Sequence, residues 1–415
     1  MSFLQSALGV LALLGIAWLA SEQRRAIHWR PVWSGIVLAM VLALAIRWVP
    51  GVSSAVAAVN GLLDALMDAT RAGTAMVFGY LGGGALPFDA THAEATFVLA
   101  TQALPLILVV SALSALLFHW GILTRLVQGF AWILQRTMGI SGAVGVSAAA
   151  NAFVGMVEGP LVVRPWLARM SRGELFMTMN CGMATIAGTV LVLYAAILKP
   201  VMPDAMAHLL AASVIAIPVA LAVAAIMVPT DAVAQPMPVK FEREDDSAMA
   251  AVGRGTAEGL QLLLSIIAML IVVVALVTLL NTGLKALPHV GGAPISAERV
   301  MGLLFAPLAW LFGVPWSEAG VAGELLGKKT VLNEFVAYID MAALPDEALS
   351  PHSRLLMTYA LAGFANFGSV GIMVGGLAPL LPEARRADLG VLAMKSVLAG
   401  LLATCITAAL VGMLY

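Results

Sequence analysis

Apolar runs of about 20 residues, separated by short polar stretches, dominate this chain and predict membrane-spanning helices. They fall near 3–20, 32–50, 97–118, 175–198, 207–228, 257–281, 355–380 and 389–413. Two charged, helix-breaking motifs interrupt the pattern. One is the run 151–160, Asn-Ala-Phe-Val-Gly-Met-Val-Glu-Gly-Pro; the other is the run 328–335, Lys-Lys-Thr-Val-Leu-Asn-Glu-Phe. Each sets an Asn and a carboxylate, Glu158 or Glu334, between short apolar stretches. Charge at membrane depth is costly and marks a substrate or ion pathway. Broken segments at corresponding places in two halves of a chain point to a transporter binding site. The alternatives are a surface loop for either Glu, or an ion pair, with Lys328 or Lys329 the partner for Glu334.

Basic residues set the topology. Arg24, Arg25 and Arg30 follow the first run, and Arg164, Arg169 and Arg172 precede the fourth. Lys240, Arg243 and Arg254 follow the fifth, and Arg385 and Arg386 lie between the last two. With alternating spans, all of these share one side, which the positive-inside rule makes cytoplasmic. Both termini are then outside. The scheme requires 140–172 and 317–345 to be re-entrant hairpins. The run 3–20 lacks a basic leader and a clear cleavage site, so it is expected to stay as the first span. Segment 120–138 reads as an amphipathic interfacial helix.

The chain repeats itself. Phe130-Ala131-Trp132-Ile133-Leu134 resembles Leu308-Ala309-Trp310-Leu311-Phe312, and each precedes small-residue chain and a hairpin motif. A span with a polar, glycine-broken centre follows each hairpin: 183–189 in one, 364–369 in the other. The expected fold class is an all-α polytopic membrane protein with about eight transmembrane helices and two re-entrant hairpins in an inverted repeat. Its parts are N-terminal spans and an external interfacial segment (1–96), a first repeat (97–228) with hairpin 140–172 and broken span 175–198, and a cytoplasmic linker (229–255). A scaffold span (256–299) and a second repeat (300–415) follow, the latter with hairpin 317–345 and broken span 355–380. Inverted repeats with broken helices are the architecture of alternating-access carriers.

Composition narrows the reading. Of 415 residues 61% are hydrophobic and only 11% charged, with mean hydropathy +0.98. Soluble domains carry roughly 25% charge. Net charge is -1, and no basic cluster suggests nucleic acid. Cys181 and Cys405 sit in apolar runs and imply neither a disulfide framework nor a metal site. The six histidines show no metal-ligand spacing, and no Walker A pattern suggests ATP-driven transport. An intramembrane enzyme using Glu158 and Glu334 as an acid/base pair would need a nucleophile or metal set that the chain does not show. A channel or sensor rests on no positive feature.

The stretch from Ala103-Leu104-Pro105 through Ser111-Ala112-Leu113 to Gly188 resembles the concentrative nucleoside transporter family, bacterial type. So does 327–372, with its Lys-Thr-Val-Leu-Asn-Glu-Phe-Val-Ala-Tyr and Gly-Phe-Ala-Asn-Phe runs. The resemblance covers roughly 95–410. It implies eight spans, two hairpins, a lipid-embedded homotrimer whose scaffold contains the early spans and the sixth, and nucleoside uptake coupled to sodium or protons. It further implies nucleoside contacts from Gly155, Met156, Val157, Glu158 and Val190, and ribose contacts from Glu334, Asn366 and Ser369 beside Phe364. It implies a sodium site at Asn151, Val154, Thr185 and Ile186, with protons as the alternative coupling ion. Family members carry Gly-Gln-Thr-Glu or a close variant at the first hairpin tip. Here Met156 and Val157 replace the polar pair, which implies a shifted base preference. A proton-coupled carrier of nucleosides or free nucleobases is the nearest alternative.

Overall fold

The computed structural model describes residues 2–48, 52–89, 91, 96–230, 245–287, 289 and 294–415. All regular structure among them is helical. Two apolar helices, α1 (Ser2–Leu19) and α2 (Trp29–Trp48), are followed by α3 (Val52–Phe78) within the segment expected to be external. A π-helical turn at Leu99–Ala103 leads past Pro105 into α4 (Leu106–His119). Helix α5 (Ile122–Met138) lies between two left-handed glycines, Gly121 (φ +72) and Gly139 (φ +68). It buries Val127, Ala131, Leu134 and Met138 along one stripe and leaves Trp132 66% exposed, as an amphipathic helix should.

The first hairpin is α6 (Gly142–Ala150), a turn, and two short helices, α7 (Glu158–Leu161) and α8 (Arg164–Leu167). Helix α9 (Arg172–Ala184) begins at a capping box: the Ser171 hydroxyl accepts from the Glu174 amide at 3.2 Å, and the Ser171 amide donates to the Glu174 carboxylate at 2.8 Å. Residues 185–187 are non-helical, and α10 (Gly188–Leu198) and α11 (Ala205–Met227) follow. Helix α12 is Ala248–Leu284. The linker expected at 229–255 falls mostly outside the described residues. Its last eight positions are helical, because the Ser247 hydroxyl caps α12 by accepting from the Ala250 amide at 3.2 Å.

Helix α13 (Ala297–Leu311) turns at Gly313 (φ +114) into α14 (Trp316–Val331), bent 117° away. Then come α15 (Glu334–Ala343), Ser350-capped α16 (Pro351–Leu361), a break at 362–366, α17 (Phe367–Leu377) and α18 (Glu383–Gly412). The order after α12 thus repeats the order from α5 to α11. Each unit has a helix, a left-handed glycine (139 or 313), a hairpin, a serine-capped half-helix, a break, a second half-helix and a long apolar helix.

Six helical stretches among the described residues are long and apolar enough to cross a membrane: Trp29–Trp48, Leu99–His119, Arg172–Leu198, Ala205–Met227, Ala248–Leu284 and Glu383–Gly412. The sequence pattern predicts about eight. The difference lies in α1, whose apolar part Phe3–Leu19 is shorter, and in 355–380, which is split into α16 and α17.

Helix α11 is the hub, packing against α2, α9, α10, α16 and α18. Its apolar stretch is 89% buried, against 6% for that of α12. Helix α1 lies on α18, α13 and α11. Between α1 and α2, Glu22 accepts from Arg172 (3.0 Å) and Lys395 (2.5 Å), tying the connection to α9 and α18. The hydrogen bond from the Arg172 guanidinium holds the Glu22 carboxyl below its usual range. Helices α4 and α12 pair along one seam. A Cβ on Gly255 would lie 2.6 Å from the Ser111 carbonyl oxygen, and one on Gly259 would lie 3.1 Å from Leu108 Cα. Small residues four apart let two membrane helices approach to backbone contact. The outer face of α12 exposes Leu264, Ile271 and Leu279, as suits a lipid or protein neighbour and not water.

Gly255→Leu should therefore force α4 and α12 apart and destabilise the protein by about 1–3 kcal/mol, the usual cost of overpacking. Gly253→Ala, on the same helix with open space around it, should be neutral or slightly stabilising. Thermal unfolding of the two variants in detergent checks the contrast.

Candidate functional site

Both hairpins and both broken spans bring helix ends into the interior, and the sequence chemistry at those ends builds the site. At the second hairpin, the Leu332 amide closes α14 by donating to the Lys328 carbonyl at 2.8 Å. Asn333 then caps α15, its Oδ1 accepting from the Val336 amide at 3.0 Å. Glu334 is consequently the first residue of α15, where the helix dipole favours a carboxylate. At the break between α16 and α17 the backbone folds through tight turns: Gly363 N–H donates to Leu361 O and Asn366 N–H to Phe364 O, both at 2.8 Å. Asn366 caps α17, its Oδ1 accepting from the Ser369 amide at 2.8 Å.

These elements converge on one carboxylate. Asn366 Nδ2 donates to Glu334 Oε2 at 3.0 Å, and the Tyr194 hydroxyl donates to Glu334 Oε1 at 2.7 Å. Glu334, Asn366 and Ser369 are buried, at 4%, 3% and 3% exposure. The Tyr194 ring is itself held against Tyr338 (centroids 4.9 Å) and Phe335 (6.0 Å). Val190, also buried, lies one turn before Tyr194 on the same face of α10. Phe364 is partly buried beside the break. Neither lysine pairs with Glu334. Lys328 bonds Asp340 at 2.6 Å, and the fully buried Lys329 donates to the Ala360 carbonyl (2.8 Å) and the Thr404 hydroxyl (3.0 Å). The ion-pair alternative for Glu334 is therefore not what forms. Each carboxylate oxygen keeps a second lone pair, so the cluster can still accept from hydroxyl groups of a ligand.

The first hairpin tip rests on the two broken spans. Met156 is buried against Gly182 of α9, where a Cβ would lie 2.8 Å from Met156 Cβ. Val157 fills the gap over Gly376 of α17, where a Cβ would lie 2.5 Å from Val157 Cγ1. Glu158 instead is exposed, folds back over Gly155, and has no side-chain hydrogen-bond partner among the described residues. It stands outside the Glu334 cluster. The two breaks also touch each other: a Cβ on Gly363 would lie 2.9 Å from the Met183 carbonyl oxygen.

Asn151, at the end of α6, has no solvent exposure, and neither Oδ1 nor Nδ2 has a partner. An amide left so in a dry interior costs about 1–3 kcal/mol. Around it lie the elements of the expected ion site. The Phe153 carbonyl accepts from the Gly188 amide at 3.2 Å, joining the tip to the start of α10. Val154 is partly buried. Thr185 is 2% exposed and donates its hydroxyl to the Cys181 carbonyl at 2.8 Å, which leaves its oxygen lone pairs unused. Ile186 is fully buried at the non-helical 185–187 step. A hard cation takes neutral oxygens of this kind, an amide, a hydroxyl and carbonyls freed at a helix break. No group of three His, Cys, Asp or Glu among the described residues could hold a metal otherwise.

Tyr194 is the member that the sequence pattern does not single out. A phenol inside an apolar run was the available signal, because a buried tyrosine hydroxyl seeks a partner.

Fold and site define an all-helical membrane transport protein. Three family models match the chain: "Na+ dependent nucleoside transporter N-terminus" over 8–81, "Nucleoside recognition" over 100–201 and "Na+ dependent nucleoside transporter C-terminus" over 208–412. An uncharacterized transporter of Haemophilus influenzae is 37% identical over 424 residues, spanning 100% of this chain and 98% of the relative. Nucleoside permease NupC of Helicobacter pylori is 34% identical over 419 residues, with 99% and 98% covered. The solved structure of CNTnw in an inward-facing substrate-bound state superposes with TM-score 0.89 at 34% identity, covering 100% of this chain and 98% of that one. A variant of CNTnw in an outward-facing state gives TM-score 0.87 at 35% identity, with the same coverage. The chain belongs to the concentrative, Na+-dependent nucleoside transporter family.

The two capping asparagines differ in a measurable way. Asn333→Ala removes a cap, a loss of about 1 kcal/mol. Asn366→Ala removes a cap and also a donor to a buried carboxylate, which adds about 1–3 kcal/mol. Denaturation of the two variants side by side should show the larger loss at Asn366.

Proposed function

We propose that the protein is a secondary active symporter that imports nucleosides across the bacterial inner (plasma) membrane, driven by a sodium gradient. The observation that carries this reading is the buried Glu334 carboxylate, set at a helix N-terminus and held by Tyr194 and Asn366. Vicinal ribose hydroxyls would donate to Glu334, while the Asn366 amide and Ser369 complete the pairing that a sugar needs in a dry site. Phe364 and Val190 would pack on the nucleoside, with the tip residues Gly155, Met156, Val157 and Glu158 toward the base. Sodium would sit at Asn151, Thr185 and the backbone oxygens of Val154 and Ile186. The unpaired Asn151 amide supports that assignment.

Alternating access would come from motion of the two hairpins and broken spans against a scaffold. The α4–α12 pair, set apart from the α9, α11 and α18 packing, supports a scaffold containing the sixth span. The exposed apolar face of α12 would then carry the contact of a homotrimer in the bilayer. The basic-residue pattern supports placing both termini outside.

Two measurements test the reading. Uridine and adenosine uptake into proteoliposomes should require an inward sodium gradient and concentrate the nucleoside. Uptake driven by an inward proton gradient alone would overturn the sodium assignment and favour proton coupling. Competition with a nucleoside panel tests the tip. Apolar Met156 and Val157, seated on glycines, cannot supply directed hydrogen bonds to a pyrimidine edge. Purine or modified nucleosides should therefore compete at least as well as uridine, and strict uridine and cytidine preference would count against this.

A further inference from the structure

Helix α10 runs from the proposed cation site to the Glu334 carboxylate. Its first residue, Gly188, donates its amide to the Phe153 carbonyl at the first hairpin tip. Immediately before it lie Thr185 and Ile186, and across the tip lies the unpaired Asn151 amide. Six residues further on, about 9 Å along the helix axis, Tyr194 donates to Glu334 at 2.7 Å. A hydrogen-bonded helix moves as a unit over that length, so a shift of its start is passed to Tyr194. The phenol reaches Glu334 across the boundary between the two repeats. Its ring is wedged against Tyr338 and Phe335, both on α15 with Glu334.

We propose that Tyr194 is the positioning residue that couples the cation site to the substrate carboxylate. A cation drawing the Asn151 tip onto the α9–α10 break would set the position of α10, and through the Tyr194 hydroxyl the aim of Glu334. The inference rests on the sodium-symport reading above. It adds a residue outside that reading's substrate and ion sets, and it makes a thermodynamic claim. Coupling between two ligands is reciprocal, so removing its carrier must lower both directions of the effect together.

The test is a double titration of purified wild type and Tyr194→Phe, which keeps the ring packing and removes only the hydroxyl. Uridine or adenosine affinity is measured calorimetrically in saturating sodium and in sodium-free choline buffer. Sodium affinity is measured with and without nucleoside. In wild type, sodium should tighten nucleoside binding by roughly tenfold or more, within the usual range of coupling factors. In Tyr194→Phe the factor should fall to about twofold or less. A purely structural role would instead weaken nucleoside binding equally in both buffers, and that result, or no change at all, overturns the proposal. Should Tyr194→Phe not fold, Gly188→Ala carries the same test from the ion end, because its Cβ would lie 2.8 Å from the Phe153 carbonyl oxygen. Full coupling in folded Gly188→Ala then overturns the proposal. Wild-type binding indifferent to sodium would overturn the symport reading and this one together. A defect confined to the variants' coupling factor supports both.

Discussion

A helix that ends inside a membrane leaves backbone groups with no water to satisfy them, and the rest of this structure depends on how those ends are met. Four ends matter most. The starts of α15 and α17 are closed by Asn333 and Asn366, each accepting from an amide in the first turn. The start of α10 borrows the Phe153 carbonyl from the hairpin tip. The end of α16 is met by Lys329, whose buried ammonium lies on the Ala360 carbonyl, where the helix dipole favours a cation. The Asn333 cap is local, but the other three solutions bring a second element to the break, so satisfying the backbone there also joins the parts of the site. Asn366 shows this best: its oxygen caps one helix while its nitrogen holds a carboxylate on another.

Close approach is the second requirement. The two broken spans meet where Gly363 leaves room for the Met183 carbonyl, and the hairpin tip settles into gaps at Gly182 and Gly376. A side chain at any of these would hold the breaks apart. The same device joins α4 to α12 through Gly255 and Gly259, but there it serves a separate pair of helices with a broad apolar face outward. The protein thus has a densely buried body, centred on α11, and an outer helix, α12, joined to it mainly through α4.

Glu334 and Glu158 show what environment does to one residue type. They occupy matching places in the two repeats, each first in a short helix after a hairpin turn. Glu334 is buried under a phenol and an amide, whereas Glu158 curls over Gly155 into open space. The asymmetry belongs to the neighbours. Tyr194 reaches across from the other repeat to Glu334, and no comparable donor meets Glu158 among the described residues.

The elements were largely legible in the chain. Apolar runs locate α1, α2 and α11 to within about three residues, whereas α4 starts nine residues after the beginning of its run, α12 nine before and α18 six before. The interruptions at 151–157, 332–333 and 362–366 fall at or beside the Asn and Gly residues where the sequence expects a helix to stop. These are local matters, decided by which backbone groups a short segment can pair. The pairings in the site are not local. Tyr194 meets Glu334 across 140 residues, and Lys329 meets Thr404 across 75. Nothing in the neighbouring sequence distinguishes the lysine that points to Asp340 from the one that points to Ala360, or the Glu that is held from the Glu that is free. Chain chemistry by itself determined where helices stop and which polar groups stand at the stops. Only tertiary packing decided which of those groups face each other, because partner choice in a dry interior depends on the distances that helix crossings impose.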